Sequence, residues 1–241
     1  MLLYSPIQEP FETRLLKLHR DAAELVSELS IDAVLERIPT IALERTIASY
    51  AAIGTLDEHG ELEKFYTSGI PRAQVEQIPH PPVGRGLIRV MMNTNKTIRI
   101  SNINKDPRHV GFPPNHPHMT SFLGVPIFQG KRQIGQLYIT DKVNSSSFNE
   151  DDQRIAEALA AYAGVAIVNA RLFRDYAMRD RVLTRQNENL SLLNQLASTL
   201  ATSTEVQEIL DKGLSQLEDY LRLEVGEIFL VNEDNKHLNL L

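Results

Sequence analysis

Residues 122–140, FLGVPIFQGKRQIGQLYIT, and residues 149–173, NEDDQRIAEALAAYAGVAIVNARLF, decide the architecture. Two runs rich in branched and aromatic residues, Phe122 to Phe128 and Gln133 to Thr140, flank Gln129-Gly130-Lys131-Arg132. Short apolar runs split by a glycine-bearing turn read as a β-hairpin. Asn149 then precedes Glu150, Asp151 and Asp152. An asparagine with an acid three positions on is a helix N-cap with its reciprocal partner, and acids in the first turn suit the positive end of the helix dipole. The helix that follows runs through Ala156, Leu159, Val165 and Ile167 and meets no stop signal before about Leu200.

Moving toward the N-terminus, residues 102–121 contain Pro107, Pro113, Pro114 and Pro117 and no periodic pattern. A loop that long inside a compact domain is usually functional or disordered. Before it come a short strand, Thr97 to Ile100, and a short helix, Leu87 to Met92, which follows the turn Val83-Gly84-Arg85-Gly86. That turn does not follow a clear strand, so it is no phosphate-binding loop. Thr46 to Leu56 and Glu61 to Ser68, split by Asp57-Glu58-His59-Gly60, read as a second hairpin. Leu15, Leu18, Ala22, Leu25, Val26 and Leu29 recur with helical period, and Ser30 is positioned to cap a further helix, Asp32 to Ala42, interrupted near Pro39. The whole is α+β: an antiparallel sheet with helices packed on one face and a long C-terminal helix.

Composition narrows the function. A hydrophobic fraction of 42% and charged fraction of 23% in 241 residues are those of a globular protein. Net charge is −6 with no basic cluster, which disfavours nucleic acid and anionic membrane as partners. The chain has no cysteine, which removes disulfides, thiolate metal sites, thiol catalysis and thioether-linked cofactors. The first residues lack a signal-peptide pattern, and the stretch Ile155 to Ala170 is too short to span a bilayer, so a cytoplasmic location is expected. No nucleophile elbow, kinase phosphoacceptor segment or ATP-binding glycine box is present, so no catalytic activity is expected of these residues.

Past residue 171 the pattern changes. Tyr176, Leu183, Leu190 and Ala197 fall on one heptad position and Leu172, Leu193 and Leu200 on the other, interrupted by Arg179 and Gln186. Residues 174–189 are too polar to pack on a core, which favours pairing with a second copy. There is also an internal repeat. ELVSELSIDAVLERI and IGTLDEHGEL near the start match NQLASTLATSTEVQEIL and IFLVNEDNKHL near the end, with Asp57-Glu58-His59-Gly60 answered by Asn232-Glu233-Asp234-Asn235. The expected organisation is therefore an N-terminal helix (1–30), a first domain (31–170), a helical linker (171–204) and the truncated start of a second copy (205–241).

GFPPNHPHM (111–119), SFLGVPI (121–127), GQLYITDK (135–142), FNEDD (148–152) and AGVAIVNARLF (163–173) resemble the first GAF domain of DosS/DosT-type sensor histidine kinases. The resemblance covers roughly residues 20–175. It implies a GAF fold, non-covalent b-type haem and detection of oxygen, nitric oxide, carbon monoxide or redox state, with a kinase or other output domain downstream. By resemblance His116 is the proximal iron ligand and Tyr138 faces the gas. Gly54 stands at a position that tunes the distal side. A neutral imidazole suits a gas-binding haem, and a phenol on a rigid strand is a hydrogen-bond donor. Met119, Phe122, Leu123 and Ile134 are expected as apolar walls. The chain departs from the family's HPPM at His118, which adds a second candidate ligand or a propionate contact, since residues 116 and 118 of an extended loop point the same way. Without the resemblance, His116 reads as a loop histidine capping a carbonyl and Tyr138 as a half-buried strand residue. His109 reads as exposed. The alternative function is a GAF module that dimerises and relays a signal with another small ligand or none.

Overall fold

A computed structural model describes residues 9–79, 86–202, 205–221, 227, 229–231 and 238–240. The expected turns at 83–85 and 232–235, and His80, Ile228 and His237, lie outside the described residues. The chain forms two compact units, 1–174 and 175–241.

In the first unit, helix α1 (Phe11–Ser27) turns its apolar stripe, with Leu18, Ala22 and Leu25, into the core. Ser30 caps α2 (Ile31–Thr46), its hydroxyl accepting from Ala33 N–H at 3.4 Å. The helix does not break at Pro39 as expected. Pro39 is buried between Ile38 and Ile41, and the packing of that face offsets the lost hydrogen bond. Ile47 ends α2 in the left-handed region at φ 52°. Strands β1 (Ala48–Leu56) and β2 (Leu62–Ser68) form the first hairpin. A short helix α3 (Arg72–Val75), not anticipated from sequence, precedes α4 (Gly86–Thr94) and the edge strand β3 (Ile98–Ile100). Strands β4 (Phe122–Gln129) and β5 (Arg132–Lys142) form the second hairpin. The antiparallel sheet runs β2-β1-β5-β4-β3.

Helix α5 (Glu150–Thr202) starts at the predicted cap: Asp152 N–H donates to Asn149 Oδ1 at 2.9 Å and Asn149 N–H to Asp152 Oδ2 at 3.1 Å. Its first turns close over the same sheet face as α1 and α2, burying Ile155, Ala156, Leu159, Ala163, Ile167 and Ala170. A Cβ on Gly164 would meet the Phe128 carbonyl at 2.5 Å, so only glycine lets the helix approach β4 this closely. By length and composition α5 qualifies as a membrane span between Glu150 and Gln195, but half of its apolar window is buried, as in a core helix. In the second unit, α6 (Val206–Leu221) precedes a short hairpin of β6 (Phe229–Val231) and β7 (Leu238–Leu240). Along α5 the heptad residues Leu172, Tyr176, Leu183, Leu190 and Leu193 are each more than half exposed.

Candidate functional site

Strand alternation gives the sheet two different faces. Ala51, Ile53, Leu123, Val125, Leu137 and Ile139 point toward α1, α2 and α5 and form the main core. Tyr50, Ala52, Phe122, Tyr138 and Thr140 point the other way, where a second apolar cluster gathers around Met91, Ile103 and Met119. Cross-strand pairing sets Tyr138 between Ala52 and Gly124, and Thr140 between Tyr50 and Phe122. Met91 packs over Gly124 on one side of Tyr138, while Ala52 on the other side lines open space above the sheet. A cavity of about 690 Å³ opens there, roofed by residues 109–119. That volume suits a small organic molecule or a cofactor (~300–1,000 Å³). Among the described residues, none lining it is Asp, Glu, Lys or Arg.

The roof is built by local chemistry. Pro113 and His116 close a tight turn, His116 N–H donating to the Pro113 carbonyl at 3.2 Å. Pro114 and Asn115 occupy its centre, with Asn115 at φ 64°, a backbone that asparagine tolerates well. The Asn115 amide donates to the Gln77 carbonyl at 3.1 Å, and Gln74 donates to the Asn115 carbonyl at 3.2 Å, pinning the turn. The His116 ring lies parallel to Phe112 at 4.7 Å, and Phe112 in turn meets the His109 ring at 5.1 Å. His116 Nδ1 is 2.8 Å from the Pro117 carbonyl. A carbonyl oxygen only accepts, so Nδ1 carries the proton and the Nε2 lone pair stays free. The loop's far end is held by Asp141, itself at φ 57°, whose Oδ1 accepts from Thr120 N–H at 2.7 Å and Ser121 N–H at 3.2 Å.

Across β5, Tyr138 is 8% exposed and its hydroxyl donates to Gln136 Oε1. Burial pushes the phenol up from its ordinary value, so it stays a neutral donor. Gln136 Nε2 and Thr140 Oγ1 are buried without a partner on the same face.

Of the residues singled out from sequence, His116, Tyr138, Met119 and Phe122 meet around this cavity. Gly54 faces the same side: a Cβ there would meet Leu62 Cδ1 at 2.8 Å and Tyr138 Cε2 at 3.8 Å. Leu123 and Ile134 do not line the cavity. Leu123 follows Phe122 on a strand, so it points to the opposite face, at 0% exposure in the main core. Ile134 is the unpaired residue of a β-bulge, since Ile127 pairs Gly135 and Phe128 pairs Gln133. The extra residue rotates the strand and delivers Ile134 to the main core as well. His118 is exposed and absent from the cavity wall, because the chain leaves the Asn115 turn with Pro117 and Met119 buried and His118 outward. His109, read from sequence as exposed, is half-buried and lines the cavity. Its loop has no periodicity that foretells this.

The GAF domain family matches residues 28–168. Similar solved structures include the GAF domain of a phosphoenolpyruvate-protein phosphotransferase from Coxiella burnetii (22% identity, 68% of this chain and 98% of that one, TM-score 0.59). The corresponding Acinetobacter domain has 22% identity over 66% and 95% of the two chains (TM-score 0.56). The free methionine-R-sulfoxide reductase of Neisseria meningitidis has 18% identity over 71% and 98% (TM-score 0.57). At these identities the likeness concerns the fold. With five antiparallel strands, helices on one face and a cavity on the other, the chain belongs to the GAF domain family.

Proposed function

We propose that this chain is the sensory input of a cytoplasmic bacterial signalling protein, probing O2, NO, CO or redox state through b-type haem held by His116. The observation that carries the reading is the state of that imidazole: a cavity wall position, Nδ1–H tied to a backbone carbonyl, and Nε2 without a hydrogen-bond partner among the described residues. Metal-binding histidines are typically oriented in this way by a carbonyl on the other nitrogen. The apolar lining of Met119, Phe122, Leu87 and Ile103 suits a porphyrin. When bound, haem supplies an iron whose open position takes up a diatomic gas. This chain's own part is to hold one imidazole in place, exclude water and present a neutral phenol. For Tyr138 to donate toward the cavity, its hydroxyl must turn away from Gln136. Two copies pair through the exposed seam of α5 and pass the change to a histidine kinase or other output domain.

Haemin titration of the purified chain, followed by visible absorption, tests this. A Soret band lost in His116→Ala and kept in His118→Ala is expected. A wild-type chain that takes up no haemin removes the haem reading. The absence of charged side chains from the cavity wall among the described residues favours a second reading, a neutral apolar metabolite sensed by the same module.

A further inference from the structure

We propose that His109 receives an acidic arm of the cavity's ligand, a carboxylate carried by a planar and otherwise apolar molecule. The proposal rests on the haem reading, where that arm is a propionate.

The argument starts from what the cavity lacks. A carboxylate entering an apolar cavity must find a donor or remain in water. No Lys or Arg among the described residues lines this cavity. The cation nearest in sequence, Arg108, is taken: its Nε and Nη2 donate to the Asp106 carboxylate at 2.8 and 2.7 Å. That hold keeps the Asp106 carboxyl depressed to about 2, so Arg108 stays engaged at neutral pH. His116 has one N–H, which is given to the Pro117 carbonyl. Thr140 has a free hydroxyl, but it sits 6% exposed against the sheet, where a carboxylate would be stripped of water. Tyr138 donates to Gln136.

His109 differs from all of these, and from the Tyr50 and Thr67 hydroxyls that also line the cavity, in offering an N–H donor on a ring that can carry charge. Its ring nitrogens have no hydrogen-bond partner among the described residues, its ring lines the cavity, and it is half-exposed beside the exposed Val110 and Gly111. An acid bound there keeps part of its hydration while its ring system goes inward. Its ring also contacts Phe112, which stacks on His116, so one loop carries both the imidazole for the inner end and the imidazole for the outer end. An imidazole donates an N–H whether neutral or protonated, and a bond to an ionised acceptor is roughly twice as strong as a neutral one.

The test compares haemin with haemin dimethyl ester, whose propionates are capped, on wild type, His109→Ala and His109→Gln. The readout is the dissociation constant from visible absorption, with circular dichroism confirming that each variant is folded. His109→Ala is expected to weaken haemin about tenfold or more while changing the ester less than about threefold, a loss of one charge-assisted bond. His109→Gln, which keeps an N–H donor, should recover part of the haemin affinity. Wild type that binds haemin, with His109→Ala weakening haemin and ester equally or neither, overturns the role of His109 and leaves the haem reading standing. Wild type that binds neither compound overturns both.

Discussion

Replacing Asp152 by Asn should cost this fold about 3–5 kcal/mol. The carboxylate is 0% exposed at the first turn of α5. Its Oδ1 accepts from Arg14 Nη1 of α1 at 2.7 Å and from Lys142 Nζ at the end of β5 at 2.9 Å. Both cations are buried as well, their side chains 3% and 1% exposed. The remaining polar partners are carbonyls: Arg14 donates to Arg45 O at 3.1 Å, and Lys142 to Thr46 O at 2.6 Å. One carboxylate thus balances two buried cations, and Arg14 Nε has no partner among the described residues. Aspartate to asparagine keeps the shape and removes the charge, leaving both cations uncompensated. The comparison with an apolar replacement matters, because a buried ion pair as a whole often adds little net stability. The cost arises from breaking it. Urea unfolding should show the loss directly, and the melting temperature should fall by about 6–20 °C for a domain of this size. Lys142→Met in the Asp152→Asn background should cost less than in wild type, with a coupling above ~1 kcal/mol. A loss under 1 kcal/mol for Asp152→Asn, or a strictly additive cycle, would refute the claim that charge balance holds α1, β5 and α5 together.

Three further outcomes follow from named contacts. Asp141→Asn keeps an acceptor and a tolerated left-handed backbone, whereas Asp141→Gly keeps only the backbone; the glycine variant should speed hydrogen exchange at the Thr120 and Ser121 amides by about 5–30-fold, about 1–2 kcal/mol of lost bonding. Unchanged exchange rates would remove Asp141 as the anchor of the roof loop. The Asp106 carboxyl, held down by Arg108, should titrate near about 2 against an ordinary 3.8, so its contribution is complete above the ordinary value and is lost as pH falls through about 2. A carbon-13 titration with its midpoint near 3.8 would contradict the bidentate contact. Leu183→Asp with Leu190→Asp places charges on the exposed seam of α5 and should convert a dimer to a monomer by light scattering without lowering the melting temperature of the first unit; a wild-type chain that is already monomeric sinks the pairing proposal.

The sheet and its helices were legible because each rests on a local rule. The second hairpin and the Asn149–Asp152 cap came from residue type and spacing, and both ends of α5 followed. What stayed illegible was anything set by a local exception to a period. Phe122 and Leu123 are adjacent on a strand and so cannot share a face, and only Phe122 reaches the cavity. Ile134 needed the bulge opposite Ile127, which no pattern announces. Pro39 reads as a stop but is carried through by burial of its helix face. His116 and His118 are equivalent only for an extended loop; here His116 closes the Pro113 turn and lines the cavity, and His118 is exposed two residues beyond it. His109 had no signal at all: its place depends on where residues 102–121 fold back over the sheet.

The same contacts link a cavity on one side of the sheet to the start of the long helix α5 on the other. The loop bearing His116 ends at Ser121, whose N–H reaches Asp141 and whose hydroxyl accepts from Lys142 N–H at 3.1 Å. Lys142 is the next residue after Asp141, and its ammonium is on Asp152 in the first turn of α5. Two consecutive residues of β5 therefore hold the roof of the cavity with one side chain and the start of the helix with the next. The left-handed Asp141 is what makes this possible: simple alternation from Leu137 and Ile139 would turn Asp141 to the helices, and its φ of 57° breaks that alternation so that Lys142 reaches them instead. A ligand that shifts the roof acts on a junction with few degrees of freedom, packed against buried charges that tolerate little displacement. The coupling this predicts is measurable as non-additivity between Asp141→Gly and Asp152→Asn, whose side chains share no contact except through Lys142 and Ser121.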